Sequence, residues 1–295
     1  MFNPFSENFN TGKTDEVLIA ETLTGNRISL ECLIRKHQNW IYNIALRMIF
    51  YPDDAKDVTQ EVLIKIITKL SSFKGKSSFR TWAYRIVVNH VLNMKKSRGE
   101  LQHSSRFSDY SEAIDRTADY NLPDPQGYST DMNIIIAETK VSCMFGMLLC
   151  LDREQRLVYI FGSVLGVSDR IAGEILNISP AAYRKKLERA RKDLHNFMNN
   201  KCGLVKKSNP CFCHKKTKAL IDTGYVNPES LRFYSQKYYT IKEIAGKTLS
   251  DADSYLDKKC IKLFKEHPFM HLPESAELLK QIISSHEFKE IFFFN

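Results

Sequence analysis

The stretch from Gly166 to Leu194, GVSDRIAGEILNISPAAYRKKLERARKDL, admits few folds. Ile171, Ala172 and Ile175 share one face of a short helix, and Tyr183, Leu187, Ala190 and Leu194 share one face of the next. Asn177-Ile178-Ser179 between them leaves room only for a tight turn, plugged by Ile178. Pro180 suits a first helical position, with Ser179 as N-cap. The small Ala172 lets the two helices cross closely. The outer face of the second helix carries Arg184, Lys185, Lys186, Arg189, Arg191 and Lys192 against only Glu188 and Asp193. This is the pattern of a helix-turn-helix whose second helix fits a DNA major groove, where Arg and Lys meet phosphates or guanine edges. The plainer reading is a surface helix with a solvated basic face. Two residues depart from the pattern: Gly173 lies mid-helix, at a cost of roughly 1 kcal/mol against Ala, and Tyr183 is bulky for a buried slot.

The rest of the chain is also helical in period. Leu30, Leu33, Ile34, Ile41, Ile44, Ala45 and Met48 recur at three- and four-residue steps. Pro52-Asp53-Asp54 breaks the chain and offers a helix start, and Ala55, Val58, Val62, Ile66, Ile67 and Leu70 form a second stripe. This stripe leaves Ile64 outside among charges, as a surface for a protein partner. Ser71 to Ser78 reads as a loop, and a third helical pattern runs from Phe79 to about Met94. From Glu100 to Glu138 there are eight acidic and two basic residues, with frequent Ser, Asp, Pro and Gly, so this segment reads as a flexible acidic linker. The expected fold is therefore all-α, with two helical modules joined by that linker and a small helical extension. The boundaries are 1–28 (N-terminal segment), 29–97 (first module), 98–137 (linker), 138–199 (helix-turn-helix module) and 200–295 (extension).

Charge and hydropathy narrow the function. Forty-three Lys and Arg stand against thirty-four Asp and Glu, a formal charge of +9, which favours a polyanionic partner. With the linker acidic, the positive charge is concentrated in the flanking modules. The densest apolar stretch, Val141 to Leu151, is eleven residues long, where a membrane-spanning helix needs about twenty. The N-terminus carries neither a basic region nor an apolar core of a signal peptide. The expectation is a cytoplasmic protein that neither enters a membrane nor turns over a small molecule. Of seven cysteines, Cys32, Cys143, Cys150 and Cys260 read as small core residues.

After the Ser71–Ser78 loop, Phe79, Trp82, Tyr84, Ile86 and Val87 interleave with Arg80, Arg85, Asn89, His90, Asn93, Lys95 and Lys96. Aromatics among cations and amides can stack and hydrogen-bond single-stranded bases, although Phe79 and Trp82 are better read as core. DVTQEV at Asp57–Val62 and FKGKSSFRTWAYRIVVN at Phe73–Asn89 resemble region 2 of sigma-70-family initiation factors, in their extracytoplasmic-function (ECF) subgroup. The basic helix-turn-helix beyond an acidic linker resembles region 4 of the same proteins, in the right order. Together the two cover about Leu30 to Asn199.

The resemblance implies a non-enzymatic polymerase subunit that selects and melts promoters. It implies that Asp57, Gln60, Glu61 and Lys65 bind core RNA polymerase. Lys74, Arg80, Thr81, Arg85, Asn89, Asn93, Lys95 and Lys96 would hold the opened minus-ten element, with a flipped base near Lys74 to Thr81. At the minus-thirty-five element, Arg184, Lys186 and Arg189 would meet base edges, and Lys185, Arg191 and Lys192 would meet phosphates. The acidic linker would thread the RNA channel of the polymerase. Core polymerase, promoter DNA and an anti-sigma protein are the partners implied.

The extension needs separate treatment. It opens with six Lys and no acid through Lys218. Cys202, Cys211, Cys213 and His214 supply the four ligands a structural zinc site needs, yet lack the C-x2-C knuckle. Zinc, redox chemistry of close thiols and plain packing all stay open, and no other cofactor is expected. The alternative to a sigma factor is a helix-turn-helix regulator that binds duplex DNA without polymerase. An enzyme reading would be a metal nuclease built on Asp54, Asp57 and Glu61, but no further catalytic group is placed to complete it.

Overall fold

The computed structural model describes residues 4–5, 12–103, 106–120, 130–234, 239–241, 243, 255–274, 277, 280 and 282. Within them the fold is helical apart from one two-residue strand pair. Helices α1 (Asp15–Leu23), α2 (Arg27–Ile49), α3 (Pro52–Thr68) and α4 (Phe79–Asn93) form the first module. Its axis is α2, because the 3.6-residue stripe seen in the sequence is wide enough to be covered on several sides. Trp40, Ile41, Ile44, Ala45 and Met48 are fully buried beneath neighbouring helices. Pro52 starts α3 at its first turn, with Tyr51 rather than an acidic side chain at the cap. Ser78 caps α4 by accepting from the Thr81 amide at 3.2 Å.

The second module contains α7 (Met132–Leu149), α8 (Arg153–Tyr159, prolonged by a π-helical turn at Ile160–Val164), α9 (Asp169–Leu176) and α10 (Pro180–Lys201). Ser179 caps α10 as its sequence position implies, accepting from the Ala182 amide at 3.1 Å. Helix α7 has the length and the mean hydropathy, 1.4, of a membrane span, more than the eleven-residue run suggested. Its Val141, Phe145, Leu148 and Leu149 are nevertheless packed inside the chain.

The linker departs from expectation. Its described part contains α5 (Arg98–His103) and α6 (Phe107–Arg116), so it is not flexible throughout. Several of its described acids are partnered. Glu100 is buried against Arg153 at 2.6 Å and Arg156 at 3.2 Å; Asp115 meets Lys201 at 2.6 Å and Asp119 meets Lys216 at 3.1 Å. On the other side of α6, Phe107 and Tyr110 lie against Phe197, with ring centroids 5.2 and 5.8 Å away. Residues 121–129, the Pro- and Gly-containing part, lie outside the described residues.

The extension contributes α11 (Cys213–Asp222), β1 (Tyr239–Thr240), α12 (Tyr255–Lys265) and β2 (Pro268–Phe269), with β1 and β2 antiparallel. The C-terminal run Ile291–Phe294, expected to pack back or meet a partner, lies outside the described residues.

Candidate nucleic-acid interface

Helices α3 and α4 lie side by side and leave a groove of about 720 Å³ between them. Asp57, Glu61 and Lys65 line it from α3, and Asn89, Asn93 and Lys95 line it from α4 and its C-terminal end. Residues expected to meet polymerase and residues expected to meet the promoter strand therefore face one another. Lys69, which sequence reasoning gave no role, also lines the groove, together with His90 and Asp54. Burial pulls the His90 imidazole below its ordinary range and nearby Lys65 adds to this, while Glu61 opposes. The ring is thus neutral, with Lys65 Nζ 2.7 Å from His90 Nδ1.

The other expected minus-ten residues behave differently. Lys74 and Lys96 are exposed, but Thr81 is buried. Its hydroxyl donates to Glu174 Oε2 of α9 at 3.3 Å. Arg85 donates from Nε and a terminal nitrogen to the Glu174 carbonyl, at 3.0 and 2.8 Å. Arg80 donates to the Pro4 carbonyl at 2.6 Å. Of the predicted core-binding residues, Gln60 is half-buried and does not line the groove. Ile64, expected to project among charges, is instead partly buried against the core. Phe79 is buried, and Trp82 is half-buried in a cluster with Phe73 and Phe79 at 5.6 and 5.7 Å. Both serve packing.

In the helix-turn-helix, each of the two departures in the sequence has its own steric cause. Asn177 ends α9 in the left-handed conformation with φ 56°, and the Ile178 amide donates back to Gly173 O at 2.9 Å. A Cβ on Gly173 would sit 2.8 Å from Ile178 O, so only glycine permits this tight return. Tyr183 is buried and donates to Val158 O at 3.1 Å. Its room comes from Gly162 in the π-helical turn, where a Cβ would lie 2.8 Å from the Tyr183 hydroxyl.

On α10, Lys185, Arg189 and Lys192 are exposed. Arg184 pairs with Asp169, Lys186 with Glu154 at 2.7 Å, and Arg191 donates to Ser163 Oγ at 3.0 Å. The six cations thus divide into three that project into solvent and three tethered to neighbouring helices.

The cysteines require two corrections. His214 is exposed and its ring lies 5.7 Å from that of Phe212, tilted by 45°, away from the thiols, because adjacent residues on a helix diverge by about 100°. Cys143 of α7 joins Cys211 and Cys213 instead, on a cavity of about 400 Å³ with Tyr110 and Tyr225. Among the described residues no three His, Cys, Asp or Glu side chains are grouped to hold a metal ion. Burial pushes the Cys211 thiol up to about 11 and the Cys213 thiol up to about 12, opposite to the thiolate character of a reactive cysteine. Cys32, expected in the core, is exposed, while Cys260 is buried.

Residues 33–100 match the model of sigma-70 region 2. The chain is 27% identical over 183 residues to the ECF RNA polymerase sigma-E factor of Escherichia coli strain K12, covering 62% of this chain and 93% of that protein. It is 25% identical over 187 residues to its Haemophilus influenzae namesake, covering 62% and 94%. A solved structure of CnrH in complex with the cytosolic domain of CnrY is similar with TM-score 0.44 and 21% identity, over 63% of this chain and 97% of that one. The chain belongs to the sigma-70 family of transcription initiation factors. Within that family it is an ECF factor, a subunit that directs initiation and not an enzyme.

Proposed function

We propose that this sigma factor uses the α3–α4 groove at the junction of polymerase and the opened promoter strand, and α10 at the upstream duplex element. Asp57, Glu61 and Lys65 bind core RNA polymerase, with Gln60 beside them. Asn89, Asn93, Lys95 and Lys96 hold the displaced strand and its phosphates, with Lys74, Arg80, Thr81 and Arg85 around the flipped base. On α10, Arg189 meets a base edge together with Arg184 and Lys186, while Lys185, Arg191 and Lys192 take phosphates. The work is done in the cytoplasm, where bacterial polymerase transcribes. The observation that carries this reading is the groove itself, where acids from one helix face amides and lysine from the next. A regulator confined to duplex DNA has no use for such a surface.

The test is transcription by core polymerase from a library of promoter sequences, with and without the purified chain. The expected result is a new set of start sites sharing upstream and minus-ten elements. Arg189→Ala should relax the preference at one upstream base pair, losing about 1–3 kcal/mol of discrimination. Loss spread evenly over all promoters would make Arg189 a phosphate contact. Binding to duplex DNA with no redirection of polymerase would overturn the proposal in favour of the regulator.

A further inference from the structure

The sigma-factor reading places α4 at the minus-ten element and α10 at the minus-thirty-five element. Twenty-five base pairs separate elements so named, ~85 Å along the duplex at 3.4 Å per step. In this structure the two modules touch. Arg85 closes on the Glu174 carbonyl in the last turn of α9, a position where a cation is favoured by the helix dipole. Thr81 takes the Glu174 carboxylate. Two residues expected to face the opened strand are thus occupied by the helix-turn-helix, an arrangement that cannot read both elements at once.

The extension is attached to both modules. On the first, its strand β2 and the residues after it run along α2. Asn43 exchanges two hydrogen bonds with the Met270 backbone, donating to the carbonyl at 2.7 Å and accepting from the amide at 3.1 Å. One turn earlier, Asn39 accepts from the Leu272 amide at 2.9 Å, and one turn later Arg47 donates to Pro268 O at 3.3 Å. The Trp40 ring lies 5.0 Å from that of Phe269. Asn39, Asn43 and Arg47 form a polar row at i, i+4 and i+8 on a helix otherwise buried for its apolar face, and this row reads an extended strand as a sheet edge would. On the second module, α12 places Asp257 2.6 Å from His195 of α10 and Phe264 5.3 Å from Tyr159.

We propose that the C-terminal extension is an internal clasp that holds the two DNA-binding modules together with α9 over α4, and that it must leave α2 before the chain can engage a promoter. The proposal rests on the sigma-factor reading for its consequence, but the clasp itself is a property of the free chain. Its strand side carries no promoter-binding residue, so it can be altered without touching the machinery.

The experiment compares the full-length wild-type chain with the double variant Met270→Pro/Leu272→Pro. These substitutions remove the two amide donors that Asn43 and Asn39 accept while leaving α2 unchanged. Small-angle X-ray scattering of the free protein reads closure; a compact chain of this length has a radius of gyration of roughly 19 Å. Anisotropy of a labelled single-stranded minus-ten oligonucleotide reads exposure of α4. The expected result is expansion by several ångström together with an affinity gain of five-fold or more. If circular dichroism shows the double variant to have lost helix, Phe269→Ala replaces it, with the same direction expected.

An unchanged radius, or expansion with no gain in affinity, overturns the clasp. Binding to core polymerase is measured alongside. Its absence in both proteins overturns the sigma-factor reading whatever the scattering shows. Its presence with no expansion overturns the clasp alone.

Discussion

Glu100 stands at the start of what reads as an acidic tether, yet it is buried between two arginines. Burial alone would push its carboxyl up, but the Arg153 hydrogen bond, the Ser97 amide and the charges of Arg156 and Arg153 outweigh this and hold it down at about 2. The cost of burying Arg156, which is 1% exposed, is met by the carbonyls of Leu148 and Leu151 at 3.0 Å and by this acid. A carboxyl depressed from its ordinary 4.5 stabilises the fold fully above that pH, and the contribution fades as pH falls towards 2. It amounts to about 3 kcal/mol at neutral pH. Glu100→Gln should therefore destabilise the protein by ~3 kcal/mol in urea titrations at pH 7, with the gap from wild type narrowing at pH 3. A gap that is constant with pH would mean that Glu100 acts through packing and not through its charge. Composition could not reveal this residue, because a count of acids does not say which of them will find buried arginines.

Among the elements, those with a broad apolar stripe were legible and those held by single polar rows were not. Helices α2, α3, α4, α9 and α10 follow the periodicity closely, because burial of one face dictates both their type and their orientation. Helix α6 carried a usable signal in Phe107, Tyr110 and Ile114, at i, i+3 and i+7, but the surrounding acids masked it. The α2 row of Asn39, Asn43 and Arg47 was equally present and equally unread, since nothing local says that a strand more than 220 residues later will pair with it. In the site, the basic face of α10 is legible from residue spacing alone, whereas the groove residues are singled out by the resemblance to sigma-70 region 2. The pairing of Thr81 and Arg85 with Glu174 depends on how the modules dock, and no local pattern encodes it. The turn between α9 and α10 allows a test at this scale. Gly→Ala inside a helix ordinarily stabilises by roughly 1 kcal/mol. At Gly173 the new Cβ meets a backbone oxygen at 2.8 Å, so Gly173→Ala should instead destabilise by about 1–3 kcal/mol, read as a lower midpoint in thermal or urea unfolding. Stabilisation would show that the turn can open without loss.

For the whole molecule, the joint between the extension and the two modules has a titratable group at its centre. His267 is buried where α2, α7 and α12 meet, 3.1 Å from Met144 Sδ and beside the rings of Phe145 and Phe264. Burial holds its imidazole well below the ordinary 6.5, and the charges of Arg47 from α2 and Lys140 from α7 push it the same way. Glu266 is engaged by Lys140 at 3.1 Å, so it partly offsets that lysine without supplying the ring with a counter-charge of its own. The closed chain therefore holds His267 neutral, while a released extension lets it take up a proton at its ordinary pKa. Closure is then at full strength above about pH 6.5 and weakens as pH falls below it, by up to a factor of ten in the open-to-closed ratio for each unit. Scattering and oligonucleotide binding should both report opening between pH 7.5 and 5.5 in the wild-type chain. His267→Gln, which keeps a polar side chain but cannot titrate, should flatten both profiles without changing either end of α10. A wild-type chain equally compact at both pH values would show that the histidine is neutral for reasons unconnected with closure. A variant that still opens in acid would show that His267 is not the group through which pH acts on closure.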